Sequence, residues 1–522
     1  MVVLRQSGKR MLFNPKIPAP QELSPYRKKD GSYSFPVCGD IYRRLRYAFP
    51  NLVLEDDLAQ TFKEVAAWQE EGRRLSRADD LDLPYTNLFP YQRVAVGWLS
   101  HTRKGILADE QGLGKTVMSL VAAREANPRK ALIICSSAKR RDWLEHVQEW
   151  VPGAQCQILE GEDEDRKLSI QDWQGYLVVN YRKVELHGAR REFKGVDLII
   201  VDEAHKMRNR KTLLFKVLKR MARSIRDLYL LTASPTVNSA GDMWTLLHLC
   251  DPVRFSSYWG FVFRFCEVTD DGYGLKVGTT RDDEGDNLER LLSTYVLYRE
   301  GMLDLPEPQI SVMPYYMDGL QDDLYREMDK EKEASWGGQT VDALNDISLI
   351  TRLRQLALHP GLIFRDYNGP SKLDVLEDLI RGREGKVVIF SHYATLAHMT
   401  AIELCERGID SVYYTGELSE KDRQSHLDEF QKGDAQVISI THGTGGEGLN
   451  LIEADRAIFL ETAWHPAGNK HALRRILRHG QVSQDVEVVF IVTQDSVEEH
   501  MWNIVREKRP ITIEELMRRR ER

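Results

Sequence analysis

The sequence has few cysteines and lacks the long apolar runs that a membrane-spanning segment requires. Its six cysteines among 522 residues lie far apart and form no C-x-x-C pair. This spacing argues against a disulfide scaffold, a zinc ribbon or a RING domain. No uninterrupted apolar run approaches the ~20 residues of a membrane-spanning helix, and the first residues lack the apolar core of a secretory signal. We therefore expect a reduced, intracellular, soluble protein with no membrane partner.

The chain also lacks a large excess of positive charge, since its formal net charge is −7. Hydrophobic residues make up 42 % and charged residues 29 %, which is typical of globular domains. At about 150 residues per domain, the length predicts three or four domains. Positive charge is concentrated locally, with nine basic and no acidic residues in 206–226 and smaller clusters at 139–141, 474–478 and 518–520. Each cluster is either a solvated helix face or part of a nucleic-acid-binding surface.

Two stretches of the chain alternate short apolar runs with helical segments. Continuous runs of isoleucine, leucine and valine are typical of strands that are buried on both faces of a parallel sheet. In the first stretch we predict strands at residues 105–109, 131–136, 176–181, 197–205 and 228–235. In the second stretch we predict them at residues 386–393, 411–416, 436–443, 456–464 and 486–493. The alternation predicts an α/β protein with two doubly wound parallel-sheet lobes.

These patterns divide the chain into five predicted regions. Residues 1–80 form a small N-terminal extension that contains an amphipathic basic helix at 40–49. The other regions are a first lobe, a helical insertion with a linker, a second lobe and a basic tail, at residues 81–252, 253–370, 371–506 and 507–522.

The strongest chemical motif follows a predicted strand and precedes a predicted helix. It consists of Asp109, Glu110, Gln111, Gly112, Leu113, Gly114, Lys115 and Thr116. In a phosphate-binding loop, main-chain N–H groups and the helix N-terminus face the phosphates. Lys115 would reach the β- and γ-phosphates of ATP, and the Thr116 hydroxyl would bind Mg²⁺. The loop departs from the strict pattern at Asp109, where glycine is expected.

A second motif, Asp-Glu-Ala-His at residues 202–205, ends another predicted buried strand. Asp202 would hold the Mg²⁺ shell and Glu203 would polarise the attacking water. Together the two motifs indicate a nucleotide-hydrolysis site. Arg475 and Arg478 lie three residues apart on a predicted helix, so that they would share one helix face. Such arginines either stabilise the charge of a transferred phosphoryl group or form a solvated pair.

The order of the motifs resembles that of the Snf2 family of superfamily 2 helicase-like ATPases, over about residues 88–500. The similar segments, in chain order, are LFPYQRVAVGWL, GILADEQGLGKT, ALIICSSAKRRDWLEHVQEW, LIIVDEAHKMRN, LTASPTVN, LRQLALHP, KVVIFSHY, THGTGGEGLNLIEAD and AWHPAGNKHALRRILRHGQ. The chain departs from the family pattern at Ala233 and Ser234, where Gly-Thr is usual, and at His471, where glutamine is common.

The resemblance implies a motor with two RecA-like lobes that binds ATP and moves along duplex DNA. In such a motor Gln92 would read the adenine base, and Arg475 and Arg478 would act as arginine fingers. The resemblance also implies contacts with the DNA backbone from Ser136, Ser137, Thr236, Thr441, Gly445 and Gly446. Hydroxyl and main-chain N–H groups suit phosphate contacts that carry no sequence information, although each such residue can instead be a local loop cap.

Within the family, the compact chain is similar to the annealing-helicase branch and its bacterial and phage relatives. Residues 26–52 faintly resemble a HARP-type domain that recognises DNA structure. The alternative is an extension that only covers the first lobe.

The leading hypothesis is a monomeric DNA-dependent ATPase that requires ATP and Mg²⁺. It would translocate on double-stranded DNA and remodel branched DNA, by branch migration, fork remodelling or strand annealing, or displace bound protein. We expect it in the cytoplasm or nucleoid, or in the nucleus of a eukaryotic cell, with replication, recombination or transcription proteins as partners. An RNA-directed helicase and a non-motor scaffold that binds DNA or a polymerase are the two alternatives.

Overall fold

The computed structural model describes most of the chain between residues 2 and 507. The described residues are 2–7, 10–13, 32–36, 45–46, 49, 52–54, 56–137, 139–159, 173–233, 240–270, 275–281, 285–302, 305–382, 384–442, 449–462, 466–478, 480–483 and 485–507. The described residues up to Met302 belong to one compact unit, and those from Leu305 to Glu507 belong to a second.

Several predicted features lie outside the described residues. They are most of the 26–52 segment, Ser234, the side chain of His471 and the basic tail beyond residue 507.

The first unit is built around a seven-stranded parallel sheet. Its strands in the described residues are β1 Val2–Ser7, β2 Arg10–Phe13, β3 Tyr33–Pro36, β4 Leu52–Leu54, β5 Lys104–Leu107, β6 Lys130–Cys135, β7 Cys156–Ile158, β8 Gly175–Asn180, β9 Leu198–Val201, β10 Asp227–Leu231, β11 Cys266–Asp270, β12 Leu275–Thr280 and β13 Val296–Leu297. The central sheet has the order β13-β5-β10-β9-β6-β8-β7. All of its neighbouring strands run parallel.

The helices of the first unit cover this sheet. They are α1 Asp56–Ser76, α2 Pro90–Thr102, α3 Lys115–Ala126, α4 Arg140–Trp150, α5 Tyr181–Ala189, α6 Leu213–Met221, α7 Trp244–Cys250, α8 Tyr258–Phe265 and α9 Gly285–Tyr295. Local capping fixes some of their starts: Asn180 accepts a hydrogen bond from Lys183 N at 2.9 Å, and Thr212 accepts one from Phe215 N at 3.3 Å. The sheet and helices share one large apolar core.

Helix α1 packs against this core, although it lies within the predicted N-terminal extension. The Trp68 ring stacks on His101 at 5.8 Å and lies tilted against Tyr295 at 6.0 Å. The strands before α1 form a separate four-stranded sheet in the order β3-β2-β1-β4. Within residues 1–80, the boundary between this separate sheet and the part that packs on the core therefore falls between Leu54 and Asp56.

The second unit contains a six-stranded parallel sheet of order β14-β21-β20-β17-β19-β18. Its strands are β14 Gln309–Tyr315, β15 Glu333–Trp336, β16 Gln339–Asp342, β17 Lys386–Ser391, β18 Ser411–Tyr414, β19 Val437–Thr441, β20 Ala454–Phe459 and β21 Glu487–Thr493. Its helices are α10 Gly319–Glu331, α11 Asp346–Leu358, α12 Leu376–Ile380, α13 Ala394–Glu406, α14 Glu420–Lys432, α15 Pro466–Leu473 and α16 Val497–Glu507. Two apolar clusters pack against the sheet.

The two parallel sheets confirm the predicted α/β fold class with two lobes. The region predicted as a helical insertion, residues 253–370, is divided between the units. Its strand β13 pairs with β5 in the first sheet, and β14 pairs with β21 in the second. It also contains the hairpins β11–β12 and β15–β16. None of the described helices combines the length and apolar character needed to cross a membrane.

The predicted helix around Arg475 and Arg478 is wrong, because helix α15 ends at Leu473 and both arginines follow it in turns. Arg475 N donates to Ala472 O at 3.2 Å, three residues back. The Arg475 carbonyl accepts a hydrogen bond from Leu451 N at 3.0 Å. This hydrogen bond from a distant part of the chain occupies the carbonyl that would accept the next main-chain hydrogen bond in a continuing helix.

Candidate active site

The phosphate-binding loop joins β5 to α3 at the carboxyl edge of the first sheet. Gly112 and Gly114 have φ values of 89° and 81°, in the left-handed region that favours glycine. A Cβ at Gly114 would lie 2.6 Å from the Gln92 side-chain nitrogen, so a larger residue there would displace the Gln92 amide group. The helix that begins at Lys115 consequently directs its first main-chain N–H groups into the loop.

Lys115 lies within the loop, and its ammonium group donates to two main-chain carbonyls. The distances from Nζ are 2.6 Å to Asp109 O and 2.9 Å to Glu110 O. Burial lowers the pKa of Lys115 to about 8, against the opposing negative charges of Glu203, Asp109 and Asp202. The ammonium is thereby placed where phosphate oxygens would replace the carbonyls as hydrogen-bond acceptors.

The acidic pair follows strand β9 at the same edge of the sheet. Asp202 Oδ1 accepts a hydrogen bond from Glu203 N at 3.0 Å, which fixes the turn between the two residues. Glu203 has φ 49°, an unusual conformation for a residue with a side chain. Its Oε2 lies 3.3 Å from His205 Nδ1, and that nitrogen lies 3.2 Å from Thr232 Oγ1 at the end of β10.

The charge of Glu203 is maintained by its neighbours. Burial alone would raise the pKa of Glu203, but the hydrogen bond with His205 and the positive charges of Lys139 and Lys115 outweigh it and lower the pKa below its usual value. Glu203 therefore stays ionised near neutral pH, as a residue that polarises water requires.

Sequence reasoning missed two side chains that contact the acidic pair. Lys139 Nζ lies 3.1 Å from Asp202 Oδ2, and Trp143 Nε1 donates to the same oxygen at 3.2 Å. Lys139 immediately precedes helix α4, and Trp143 lies in its first turn. The basic cluster at 139–141 was visible in the sequence, but only the contact of Lys139 with Asp202 in the folded chain shows which of its members faces the acidic pair.

Sequence reasoning also missed Arg299, which forms a two-pronged ion pair with Asp109. Arg299 Nε lies 3.1 Å from Asp109 Oδ1, and Nη2 contacts Oδ2. Nη1 donates to Tyr91 O. Asp109 was predicted to bind the nucleotide as part of the loop, but its carboxylate is fully buried against Arg299. The carboxylate anchors the loop to the segment that follows β13, and the nucleotide-binding role of Asp109 stays a prediction.

Gln92 contacts both the helix start and the phosphate loop. Its Oε1 accepts from Phe89 N at 3.1 Å, and its Nε2 donates to Leu113 O at 3.1 Å. The side chain is largely buried. The predicted adenine-reading role of Gln92 therefore stays a prediction, and its observed contacts hold the loop in position.

The residues predicted to contact DNA lie in different environments. Ser137 is exposed and its Oγ accepts from Asn180 Nδ2 at 3.2 Å, whereas Ser136 and Thr441 are buried. Ser137 is accordingly the most accessible of the three. The others lie outside the described residues: Thr236, Gly445 and Gly446.

The second unit contains buried titratable groups at the carboxyl ends of its central strands. Burial raises the pKa of Glu461 to about 7, while hydrogen bonding from His392 N opposes this shift. Burial lowers the pKa of His442 to about 4, with the positive charges of His392 and Arg354 adding to the effect. Arg475 is 1 % exposed in the same unit, whereas Arg478 is half-buried.

The donor set of the first unit fits a nucleotide with Mg²⁺. The loop provides an ammonium group, a helix N-terminus and two left-handed glycines, and β9 provides the carboxylates. Among the described residues, no group of three or more histidine, cysteine or acidic side chains could hold a metal ion by itself. Mg²⁺ does not require such a group, because it keeps several waters and is bound through one or two carboxylates and the phosphates.

Two known protein domain families match most of the chain. The SNF2-related domain matches residues 91–362, more than half of the sequence, and the helicase conserved C-terminal domain matches residues 371–480. The two matches include the phosphate loop, the acidic pair and both arginines.

Curated relatives span this region. The chain is 28 % identical over 455 residues to the yeast "ISWI chromatin-remodeling complex ATPase ISW1", covering 79 % of this chain and 39 % of the relative. It is 25 % identical over 507 residues to the Xenopus laevis "SWI/SNF-related matrix-associated actin-dependent regulator of chromatin subfamily A-like protein 1", covering 92 % and 50 %. The chain thus spans half or less of the length of these relatives.

A viral relative is closer in length. The "Probable global transactivator" of Orgyia pseudotsugata multicapsid polyhedrosis virus is 25 % identical over 474 residues, covering 81 % of this chain and 90 % of the relative. The solved "Sulfolobus solfataricus SWI2/SNF2 ATPase core in complex with dsDNA" aligns with a TM-score of 0.40 and 22 % identity, covering 81 % of this chain and 92 % of that one. On its motifs and on the family matches, this chain belongs to the Snf2 family of superfamily 2 helicase-like ATPases.

Proposed function

We propose that the chain is an ATP-dependent motor that translocates on double-stranded DNA and remodels branched DNA or displaces bound protein. The observation that carries the proposal is the convergence of Lys115, Asp202 and Glu203 at one edge of the first sheet. Lys115 and both carboxylates interact electrostatically, and Glu203 stays ionised. Such a set can bind a nucleotide triphosphate and direct water at its γ-phosphate.

The proposed roles of the residues follow from their chemistry. Lys115 would bind the β- and γ-phosphate oxygens, with Thr116 and Asp202 holding the Mg²⁺ shell. Bound Mg²⁺ would neutralise charge that develops on the phosphates. Glu203 would orient the attacking water. Arg475 and Arg478 would supply positive charge in the transition state, the arginine-finger role that the family resemblance implies.

The proposed substrate is DNA. The names of the yeast and Xenopus relatives describe chromatin remodelling and chromatin regulation, and chromatin contains duplex DNA. An RNA-directed helicase is the first alternative, and a scaffold without turnover is the second. The retained ammonium, carboxylates and arginines disfavour a scaffold, because a protein without turnover has no chemical need for the whole set. Replication, recombination or transcription proteins would be the partners.

One experiment distinguishes these functions. ATP turnover would be measured with no nucleic acid, single-stranded DNA, duplex DNA, a fork, a four-way junction and duplex RNA. We expect strong stimulation by duplex DNA and at least equal stimulation by fork or junction. Stimulation by RNA alone would support the RNA-directed alternative, and no turnover under any condition would support the scaffold.

Binding to duplex DNA should weaken as salt increases. The logarithm of the binding constant should fall with a slope of about −0.9 per phosphate contacted against the logarithm of salt concentration. A flat salt dependence would contradict backbone tracking.

The role of the N-terminal segment requires a deletion that respects the packing of α1. Removal of residues 1–80 would expose the apolar core where Trp68 packs, whereas removal of residues 1–54 keeps this helix. If the segment recognises branched DNA, the shorter deletion should keep turnover on plain duplex and lower the ratio of fork-stimulated to duplex-stimulated turnover. An unchanged ratio in a folded protein would contradict the recognition role.

A further inference from the structure

A second ammonium group lies against the carboxylate that is proposed to hold Mg²⁺. Lys139 Nζ lies 3.1 Å from Asp202 Oδ2 and 4.0 Å from Glu203 Oε1. The Lys139 side chain is 18 % exposed, so water only partly screens this contact. Asp202 Oδ2 also accepts a hydrogen bond from Trp143. The oxygen thus has two protein donors, one of them charged.

The local fold holds Lys139 in this position. Lys139 precedes the first turn of α4, and its carbonyl accepts a hydrogen bond from Trp143 N at 3.0 Å. The Trp143 side chain is 1 % exposed and fixes this turn against Asp202. The other members of the basic cluster point elsewhere, since Arg140 donates to Ser137 O and Arg141 is exposed. Lys139 is therefore the member of the cluster that faces the acidic pair.

Several positive groups act on the acidic pair. Lys115 and Lys139 both attract the Glu203 carboxylate, and His205 Nδ1 lies 3.3 Å from Glu203 Oε2. The positive charge of Lys139 contributes to the lowered pKa of Lys115, which shows that the two ammonium groups already interact. A divalent cation at Asp202 would add further positive charge within a few ångströms of Lys139. Like charges repel strongly in such a partly buried site.

We propose that Lys139 is a built-in competitor of Mg²⁺, a tethered cation whose ammonium group leaves Asp202 when Mg²⁺ binds with nucleotide. Lys139 then sets the Mg²⁺ concentration at which the site fills, and it acts as a positioning residue. This inference depends on the proposed nucleotide site. It goes beyond that site by assigning to this chain a lysine that opposes metal binding.

Movement of the Lys139 side chain away from Asp202 would also affect the segment that precedes α4. Ser137, two residues before Lys139, is a predicted contact with the DNA backbone and is exposed. A ligand that binds this segment could hold the Lys139 ammonium group away from Asp202. Such a ligand would strengthen Mg²⁺ binding, and Mg²⁺ would strengthen the binding of that ligand by the same factor. If DNA contacts Ser137 as predicted, DNA and Mg²⁺ would be coupled through the Lys139 side chain.

The test measures Mg²⁺ dependence in the full chain. Binding of a fluorescent ADP would be titrated with Mg²⁺ in the wild type, in Lys139→Met and Lys139→Gln, and in Lys139→Arg. If two cations compete, removal of one should lower the half-saturating Mg²⁺ concentration about fivefold or more, within the usual range of coupling between ligands. Lys139→Arg keeps the charge and should retain the wild-type value. Arg141→Met removes a neighbouring exposed charge and should also leave the value unchanged.

Thermal melting provides a readout independent of nucleotide. Without Mg²⁺, Lys139→Met should melt below the wild type, because the carboxylates lose a counter-ion. Added Mg²⁺ should raise its melting temperature more than that of the wild type. A folded Lys139→Met or Lys139→Gln protein with an unchanged or higher half-saturating Mg²⁺ concentration would overturn the inference. Failure of the wild type to bind ADP at all would instead overturn the nucleotide site itself.

Discussion

Lys115 and Glu203 occupy the same site but have separate chemical roles, so their replacement should have different effects. Lys115→Ala removes a charged hydrogen-bond donor, and we expect nucleotide affinity to fall about tenfold or more with loss of hydrolysis. Glu203→Gln should keep affinity within a few-fold and lower turnover by about 10²-fold or more, as expected for a residue that assists proton transfer. Fluorescent-nucleotide binding and phosphate release measure the two effects.

Lys63→Ala serves as the control for these variants, because Lys63 is an exposed lysine on α1. It should match the wild type in both assays. Wild-type turnover in either site variant would contradict the assignment of the site.

The lowered pKa of Lys115 predicts a pH dependence of nucleotide binding. With a pKa of about 8, Lys115 is protonated below pH 8 and loses its proton as the pH rises above it. Binding of phosphate requires the protonated form, so affinity should fall about tenfold for each pH unit above this value. Calorimetry in buffers of different ionisation enthalpy would detect the accompanying proton uptake. Lys115→Arg stays charged over this range and should bind with little pH dependence.

At the scale of single residues, the sequence predicted the location of those that belong to a local motif at the end of a strand. Lys115 and Glu203 follow strands and lie at the same sheet edge, as expected. Lys139 and Arg299 were missed because their partners lie far along the chain, 63 residues away for Asp202 and 190 for Asp109. No local pattern encodes which charged side chain will meet a distant carboxylate.

The segment that follows strand β13 supports the phosphate loop, and its ion pair can be tested directly. Arg299→Met leaves the buried Asp109 carboxylate without its guanidinium partner, which should cost about 3–5 kcal/mol of folding stability. Nucleotide affinity should fall as well, because Asp109 anchors the loop. The double variant Arg299→Met with Asp109→Asn removes both charges and should recover part of the stability. Thermal melting and nucleotide binding measure these effects.

The surface ion pair of Arg74 with Glu71 on α1 provides the control for Arg299. Arg74→Met should leave the melting temperature nearly unchanged. A similarly mild effect of Arg299→Met would show that the pair does not support the loop.

The turns after helix α15 determine how the two arginines should be tested. We expect Arg475→Ala and Arg478→Ala to leave ATP affinity within a few-fold and to lower kcat strongly, as for contacts made in the transition state. Arg475 is buried, so its alanine variant should also destabilise the second unit, whereas Arg478→Ala should not. Steady-state kinetics with parallel thermal melting separates the two effects. Unchanged kcat in both variants would contradict the proposed role.

The stability of the whole molecule should depend on pH through Glu461. Its folded pKa of about 7 lies above its ordinary value of 4.5. The stability that the protonated form contributes is therefore complete below pH 4.5 and is lost as the pH rises through 7. At pH 8, Glu461→Gln should be more stable than the wild type by up to about 3 kcal/mol and should melt at a higher temperature. Near pH 4.5 the two proteins should melt at the same temperature.

Glu498→Gln provides a contrast of opposite sign. Glu498 is buried and paired with Lys372, so loss of its charge should destabilise the protein at pH 8. Equal melting temperatures for wild type and Glu461→Gln across the pH range would contradict the role of Glu461.

At the scale of the whole molecule, the long apolar runs predicted the central strands of both sheets because buried parallel strands require them. Three edge strands of the two central sheets, β7, β13 and β14, were missed, whereas the edge strand β18 was predicted. Strand β13 has only two residues, and β14 is largely exposed, so neither contains a continuous apolar run. The division of residues 253–370 between two units follows from pairing with β5 and β21, which is a long-range property that local patterns do not reveal.

The chain leaves the first unit directly beyond the residues that hold the phosphate loop. Ala108 N and Glu110 N donate to the carbonyls of Leu297 and Arg299 at 2.7 and 3.0 Å, and Met302 ends the unit. A pulling force applied through the connection between the units would therefore reach these hydrogen bonds before the rest of the first sheet. Mechanical tension would loosen the loop that is proposed to bind the phosphates, and we expect the lifetime of bound nucleotide to shorten under load in an optical trap.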